Sequence, residues 1–215
     1  MGLKVNEIFH SIQGESTYAG QPCVFVRLTG CNLRCSYCDT IYAYEEGAIM
    51  GMEEIVEKVK SFDCSLIEIT GGEPLLQDET PQLIKTLLYS GYTVLLETNG
   101  SKDIGKIDRR CIKIMDIKCP SSGEEKNNDL ENLHRLNPGD EVKFVISDRT
   151  DYDFAVDIIS RISEEKKSEI HILFSPCFGR IEPRTLVEWI LKDKLDVRLN
   201  LQLHKYIWPH DMRGV

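Results

Sequence analysis

The chain has 215 residues, 41% hydrophobic and 28% charged, with 35 acids against 26 bases and a formal net charge of −9. That balance excludes a basic nucleic-acid footprint, and no apolar run approaches the ~20 residues that cross a bilayer. The opening MGLKVNEIFH lacks the apolar core of a secretion signal. The expectation is therefore a cytoplasmic protein with a single domain, residues 1–215, large enough to bury a core unaided.

Strand-like runs alternate with amphipathic segments along the chain. CVFVRL (23–28) comes first, and its period-2 alternation sets Val24, Val26 and Leu28 on one face and Phe25 and Arg27 on the other. MEEIVEKVKSF (52–62) gathers Ile55, Val56, Val59 and Phe62 on one helical face before the strand LIEIT (66–70). TPQLIKTLLYSG (80–91) carries Thr80 as its cap and Pro81 at the first helical position. TVLLET (93–98) and IKIMDI (112–117) follow as strands, then a polar, weakly helical stretch over 124–135. VKFVI (142–146), a helix over 151–163, IHILF (170–174), the helix PRTLVEWILK and VRLNLQL (197–203) complete the series. This rhythm predicts α/β architecture with right-handed crossovers and a mainly parallel sheet. About seven strands with short connections predict a barrel that stops short of closure.

In such sheets, chemistry gathers beyond the carboxyl ends of the strands. The sequence places TGGEP (70–74), Glu97-Thr98-Asn99-Gly100, Asp116 with Lys118, Ser147-Asp148, Ser175-Pro176 and His204-Lys205 at those ends. Turns alone account for Gly and Pro there, but not for a charged group at nearly every one.

Five of the eight cysteines (Cys23, Cys64, Cys111, Cys119, Cys177) are scattered among apolar neighbours and read as small buried hydrophobes. A second metal centre from Cys111, Cys119 and Cys177 finds no support in their spacing. Cys31, Cys35 and Cys38 form one compact set in TGCNLRCSYCDT (29–40). A structural zinc takes four ligands, normally from paired knuckles, and the sequence offers no second knuckle. Three thiolates leave a coordination position open, which suits a centre that must bind something. Iron–sulfur clusters are held by such thiolates.

CNLRCSYC and TGGEP together resemble the radical S-adenosylmethionine (SAM) enzymes. The resemblance implies a partial (β/α)6 barrel in which Cys31, Cys35 and Cys38 hold a [4Fe–4S] cluster whose open iron chelates SAM. One electron, from a donor such as flavodoxin or ferredoxin, would then yield a 5′-deoxyadenosyl radical. It further implies SAM contacts from Tyr37, Cys38, Asp39, Gly72 and Glu73, from Asp116, Ile117 and Lys118, and from Ser175 and Pro176. Gly72 suits close approach of backbone to a cofactor.

Within that superfamily, FHSIQGEST (9–17), CDT (38–40), DIKCPSSG (116–123) and QLHKYIWP (202–209) resemble the 7-carboxy-7-deazaguanine synthases. The reaction implied is ring contraction of 6-carboxy-5,6,7,8-tetrahydropterin with loss of ammonia, on the route to queuosine. Substrate contacts are expected from Ile12, Gln13, Gly14 and Glu15, from Thr70 and from His204. Arg27 is costly inside a barrel strand unless paired, and a substrate carboxylate suits its planar fork. Thr40 is the expected Mg2+ ligand, and the family implies a homodimer. Some members end in a proline whose carboxylate reaches the substrate; here Pro209 is followed by HDMRGV, so another tail group would supply that contact. Two rival readings are a glycyl-radical activase, which also carries an S-x-x-G segment, and a non-enzymatic metal-binding module.

Overall fold

The computed structural model describes residues 2–210 and 212–215. One nine-stranded sheet runs through them, with strands β1 (Gly2–Ile12), β2 (Pro22–Leu28), β3 (Ala48–Gly51), β4 (Leu66–Gly71), β5 (Thr93–Thr98), β6 (Ile112–Ile117), β7 (Glu141–Ile146), β8 (His171–Pro176) and β9 (Arg198–Leu199). Their spatial order is β3-β1-β2-β4-β5-β6-β7-β8-β9. From β2 to β9 every pairing is parallel, whereas β1 pairs antiparallel with both β2 and β3. The ends of the sheet do not meet, so the barrel is open as expected.

Among the described residues seven α-helical segments accompany the sheet: α1 (Met52–Lys60), α2 (Thr80–Tyr89), α3 (Asn132–Arg135), α4 (Arg149–Ser160), α5 (Glu164–Glu169), α6 (Pro183–Asp193) and α7 (His204–Ile207). None is long and apolar enough to cross a membrane. The outward residues of β2, β4 and β5 (Val24, Val26, Leu28, Ile67, Ile69, Val94, Leu96) pack on Ile55 and Val59 of α1 and on Leu83, Ile84 and Leu87 of α2. Those of β6, β7 and β8 pack on α4 and α6 through Tyr152, Ala155, Ile158, Leu186 and Ile190. The inner face carries a smaller apolar layer of Cys23, Phe25, Leu66, Leu95 and Ile114. Two residues further along these strands the inner face turns polar at Arg27, Glu68, Glu97 and Asp116, and Thr70 of β4 and Lys143 of β7 join them. Alternation along each strand thus separates a sealed outer core from a chemical interior.

Several expectations need correction. Strand β1 was not anticipated, because Lys4, Asn6, Glu7 and His10 interrupt its apolar alternation; pairing with β2 over Val5–Ile12 supplies what the pattern lacks. Strand 197–203 shrinks to two residues, because the Asn200 side chain bonds Ser175 Oγ at 2.8 Å and the chain turns towards α7. Stretch 124–135 splits into a 3-10 turn at Glu125–Asn127 and the single turn α3. Thr80 does not cap α2; its hydroxyl donates to the Pro74 carbonyl at 2.6 Å. Cys111 and Cys119 sit in different core layers, so they do not converge with Cys177.

Candidate active site

At the carboxyl ends of the parallel strands lies a cavity of about 720 Å3. Three walls define it. The first is the cysteine loop that leaves β2, and it is held from outside. The backbone N–H of Ser36 donates to Ser122 O at 3.0 Å, its hydroxyl to Ser121 O at 2.6 Å, and Arg34 N–H to Glu124 at 2.6 Å. The segment CPSSG therefore clamps the loop. From below, Gly71 (φ +149°) and Gly72 let the end of β4 pass against it; a Cβ on Gly72 would strike the Gly30 carbonyl and lie 2.6 Å from Cys31 Cβ. Gly72 is thus required by the cysteine loop itself, a reason closer to hand than the cofactor approach expected of it.

Cys31, Cys35 and Cys38 are half-buried and all face the cavity. Leu33 N–H donates to Cys31 Sγ at 3.4 Å and Asn99 Nδ2 lies 4.0 Å from it. Burial pushes the Cys35 thiol up to about 11 despite the nearby Lys118. Among the described residues, no three His, Cys, Asp or Glu side chains are arranged to hold one metal ion.

The second wall belongs to β6 and β8. Lys118 Nζ lies 2.8 Å from Asp116 Oδ2, while Asp116 Oδ1 is buried without a partner among the described residues. Burial opposes charge on Lys118, but Asp116 and Cys35 outweigh it and raise its pKa. Ser175 and Pro176 adjoin this pair on the wall, as do Tyr37, Asp39 and Thr40 from the cysteine loop. The Thr40 hydroxyl donates to Asp39 Oδ1 at 3.0 Å, and Asp39 Oδ2 meets Lys205 Nζ at 2.7 Å. Two expected contacts stand outside the cavity. The Glu73 carboxylate is fully buried and accepts from Leu75 N, Asn99 N and the Thr98 hydroxyl, tying β4 to β5. Ile117 packs outward into the helical core.

The third wall is the floor beneath β1, β2, β4, β5 and β7. Glu7 and Arg27 are cross-strand partners, with Arg27 Nε 2.8 Å from Glu7 Oε1. Arg27 thus has a protein partner after all, yet its two terminal nitrogens make no hydrogen bond among the described residues. Phe9 stacks on Phe25 at 4.9 Å directly below. Lys143, 4% exposed, joins Glu15 (3.0 Å), Glu97 and Asp116 (3.7 Å). Burial works against its charge, but those three carboxylates raise its pKa. Burial would raise Glu15 in turn, but Lys143 and Gln202 bring it below the usual carboxylate range. Glu68 accepts a short bond from Gln13 Nε2; burial, with Glu97 and Glu15 beside it, raises its pKa well above the ordinary value.

His204 also reaches the cavity, where burial lowers its pKa against the pull of Glu15. It rests on Gly14, where any Cβ would collide with its ring. Ile12, Gln13, Gly14, Glu15 and Thr70 line the same space. So does the tail: Arg213 stacks 3.9 Å over Tyr42 and bonds Glu46 at 3.1 Å, and Gly214 and Val215 lie on the wall. Sequence reasoning assigned no role to Phe9, Glu68, Lys143 or Gln202, and it expected a tail group at the site without naming one. A lone charge inside an apolar strand run, as in LIEIT and VKFVI, was the available signal for two of them.

A family model of the radical SAM superfamily matches residues 25–116, from the inner face of β2 to Asp116. The chain is 44% identical to the 7-carboxy-7-deazaguanine synthase of Koribacter versatilis, covering 99% of this chain and 100% of that one. It is 47% identical to that of Chlorobaculum tepidum, over 99% and 97%. The chain belongs to the 7-carboxy-7-deazaguanine synthase family. It is accordingly a radical SAM enzyme, for which the family implies a [4Fe–4S] cluster and SAM. The crystal structure of QueE from Escherichia coli, 22% identical, superposes with a TM-score of 0.80 over 95% of each chain, which shows that the two share the open-barrel fold.

The residues present fit those groups. Three cavity-facing thiols with N–H donors aimed at Cys31 suit a cluster one ligand short. The unpartnered Asp116 Oδ1 offers an acceptor to a ligand beside it.

Proposed function

We propose that this chain converts 6-carboxy-5,6,7,8-tetrahydropterin to 7-carboxy-7-deazaguanine with loss of ammonia, in queuosine or related 7-deazapurine biosynthesis. The observation that carries the reading is the meeting, in one chamber, of the three thiols with a floor that is cationic at Arg27, aromatic at Phe9 and Phe25, and acidic at Glu68. A carboxylated flat bicycle matches that sequence of surfaces. Cys31, Cys35 and Cys38 would hold the cluster; when bound, it supplies the electron that cleaves SAM to a 5′-deoxyadenosyl radical.

The chain's own residues bind, orient and exclude water. Tyr37, Asp39, Gly72, Asp116, Lys118, Ser175 and Pro176 border the SAM side; Glu73 and Ile117 serve it by holding their strands in place. Arg27 presents its free terminal nitrogens to the substrate carboxylate. Gln13, Gly14, Glu15 and Thr70 border the ring. His204, neutral near pH 7 because burial lowers its pKa, can accept or hold a proton at one ring nitrogen. Thr40 donates its proton to Asp39, which leaves its oxygen lone pairs for Mg2+, whose other ligands would be water and substrate oxygens. The reading extends to a cytoplasmic homodimer working as one domain, residues 1–215, reduced by a flavodoxin or ferredoxin.

The test is anaerobic incubation of the reconstituted, reduced protein with SAM and 6-carboxytetrahydropterin. 7-Carboxy-7-deazaguanine and one ammonia per product are expected, formed only when SAM and the reduced cluster are both present; because the conversion is redox-neutral, any hydrogen atom the radical takes from the substrate is returned. A cluster-loaded protein that cleaves SAM without forming the deazaguanine, or that leaves a glycyl radical on a partner chain, contradicts the reading.

A further inference from the structure

Glu68 stands apart from the other acids of the cavity floor. Glu15, Glu97 and Asp116 all share the Lys143 ammonium, whereas Glu68 pairs with no lysine or arginine among the described residues. It is 3% exposed. Its Oε2 accepts from Gln13 Nε2, its Oε1 accepts nothing among the described residues, and the side chain lines the cavity. A carboxyl this deep without a full set of partners is costly; one that faces a cavity is completed by whatever fills it.

Position narrows what that is. In the parallel register of β2 and β4, Arg27 is level with Thr70 and Phe25 with Glu68. Glu68 therefore lies one strand over and two residues deeper than Arg27, about 7 Å down the barrel. Phe25, stacked on Phe9, lies below Arg27 on the same strand and level with Glu68 on the next. A flat molecule with its carboxylate on Arg27 and its rings against Phe25 ends at Glu68. Gln13 turns its Nε2 donor towards Glu68 and its Oε1 towards Glu15 N–H at 3.0 Å, so at this point it presents a donor and Glu68 the acceptor.

We propose that Glu68 is the specificity-determining residue that accepts the exocyclic 2-amino group and adjoining ring N–H of the pterin's amino-pyrimidinone end. This rests on the synthase reading above. Such an edge presents two donors side by side, and the ionised carboxylate meets them with its free Oε1 and the remaining lone pair of Oε2, so binding displaces the proton that burial favours in the free protein. Selection for the amino group follows, because a site built to take up a polar group rejects an analogue that cannot pair with it.

The experiment compares dissociation constants for 6-carboxypterin and 6-carboxylumazine, in which oxygen replaces the 2-amino group, by calorimetry on the cluster-loaded protein with SAM at pH 6.5. The wild type should prefer the pterin by about 30-fold. Glu68→Met should weaken the pterin to within about threefold of the lumazine, and Glu68→Gln, which keeps one carbonyl acceptor, should fall between. Equal affinities in the wild type overturn the inference whatever the variants do. So does a Glu68→Met protein that weakens both ligands alike and keeps their ratio. A wild type that binds neither compound overturns the synthase reading itself, and this inference with it.

Discussion

Replacing Lys143 by methionine tests whether the interior is held by one ammonium. Methionine keeps the length and apolar stem but removes the charge that Glu15, Glu97 and Asp116 share. Taking one partner from a buried ion pair costs about 3–5 kcal/mol. Glu97 is 27% exposed and Glu15 19%, so water relieves part of this and the lower end, about 3 kcal/mol, applies. That corresponds to a fall in Tm of roughly 6–12 °C for a chain of this size. The sign with pH follows from Glu15. In the wild type its folded pKa lies below the unfolded value, so its contribution is complete above that value and is lost as pH falls through the folded pKa. Without Lys143 only Gln202 and His204 remain to offset burial, so the folded pKa of Glu15 rises. The deficit of Lys143→Met should therefore be largest near pH 7.5 and shrink towards pH 4.5. Urea unfolding at both pH values measures it. A deficit below about 1 kcal/mol, or one equal at the two pH values, would refute the shared-ammonium account.

Arg27→Ala should retain its iron but raise the KM for carboxytetrahydropterin by an amount equivalent to about 2–5 kcal/mol; an unchanged KM removes Arg27 from the substrate site. Gly72→Ala forces a Cβ against Gly30 and Cys31, so iron per chain should fall and stability drop by about 2–3 kcal/mol; full iron content would show that the loop does not need this approach. Glu68 binds its proton more tightly folded than unfolded, so wild-type stability should decline relative to Glu68→Gln as pH rises above 4.5, by up to about 1.4 kcal/mol per pH unit until the folded pKa is passed. Parallel stability–pH curves for the two proteins would count against that protonated state.

The cysteine loop and the strand alternation were legible because both are local: three thiols in eight positions, and Val24, Val26 and Leu28 facing away from Phe25 and Arg27. What the sequence hid depends on partners distant in the chain. Lys143 meets Glu15 across 128 positions, so VKFVI read alone shows a lone charge in an apolar run but not the carboxylates it joins. Glu73, part of a recognised motif, turned out to brace β4 against β5, since a carboxylate at a strand end serves backbone N–H groups as readily as a ligand. Strand β1 escaped notice because its polar residues make cross-strand pairs, Glu7 with Arg27 above all, and such pairs leave no period in one strand read alone. CPSSG stood in the sequence only as part of a family-like motif, and it fastens the cysteine loop through the Ser121 and Ser122 carbonyls.

The most direct measurement is iron analysis joined to electron paramagnetic resonance of the anaerobically reconstituted, dithionite-reduced protein, with and without SAM. Four irons per chain, a reduced-cluster spectrum that shifts when SAM is added, and loss of both signal and iron in Cys35→Ala are the predicted results. A fully loaded wild type whose spectrum ignores SAM would mean that no iron is left open to it, and the account would fail.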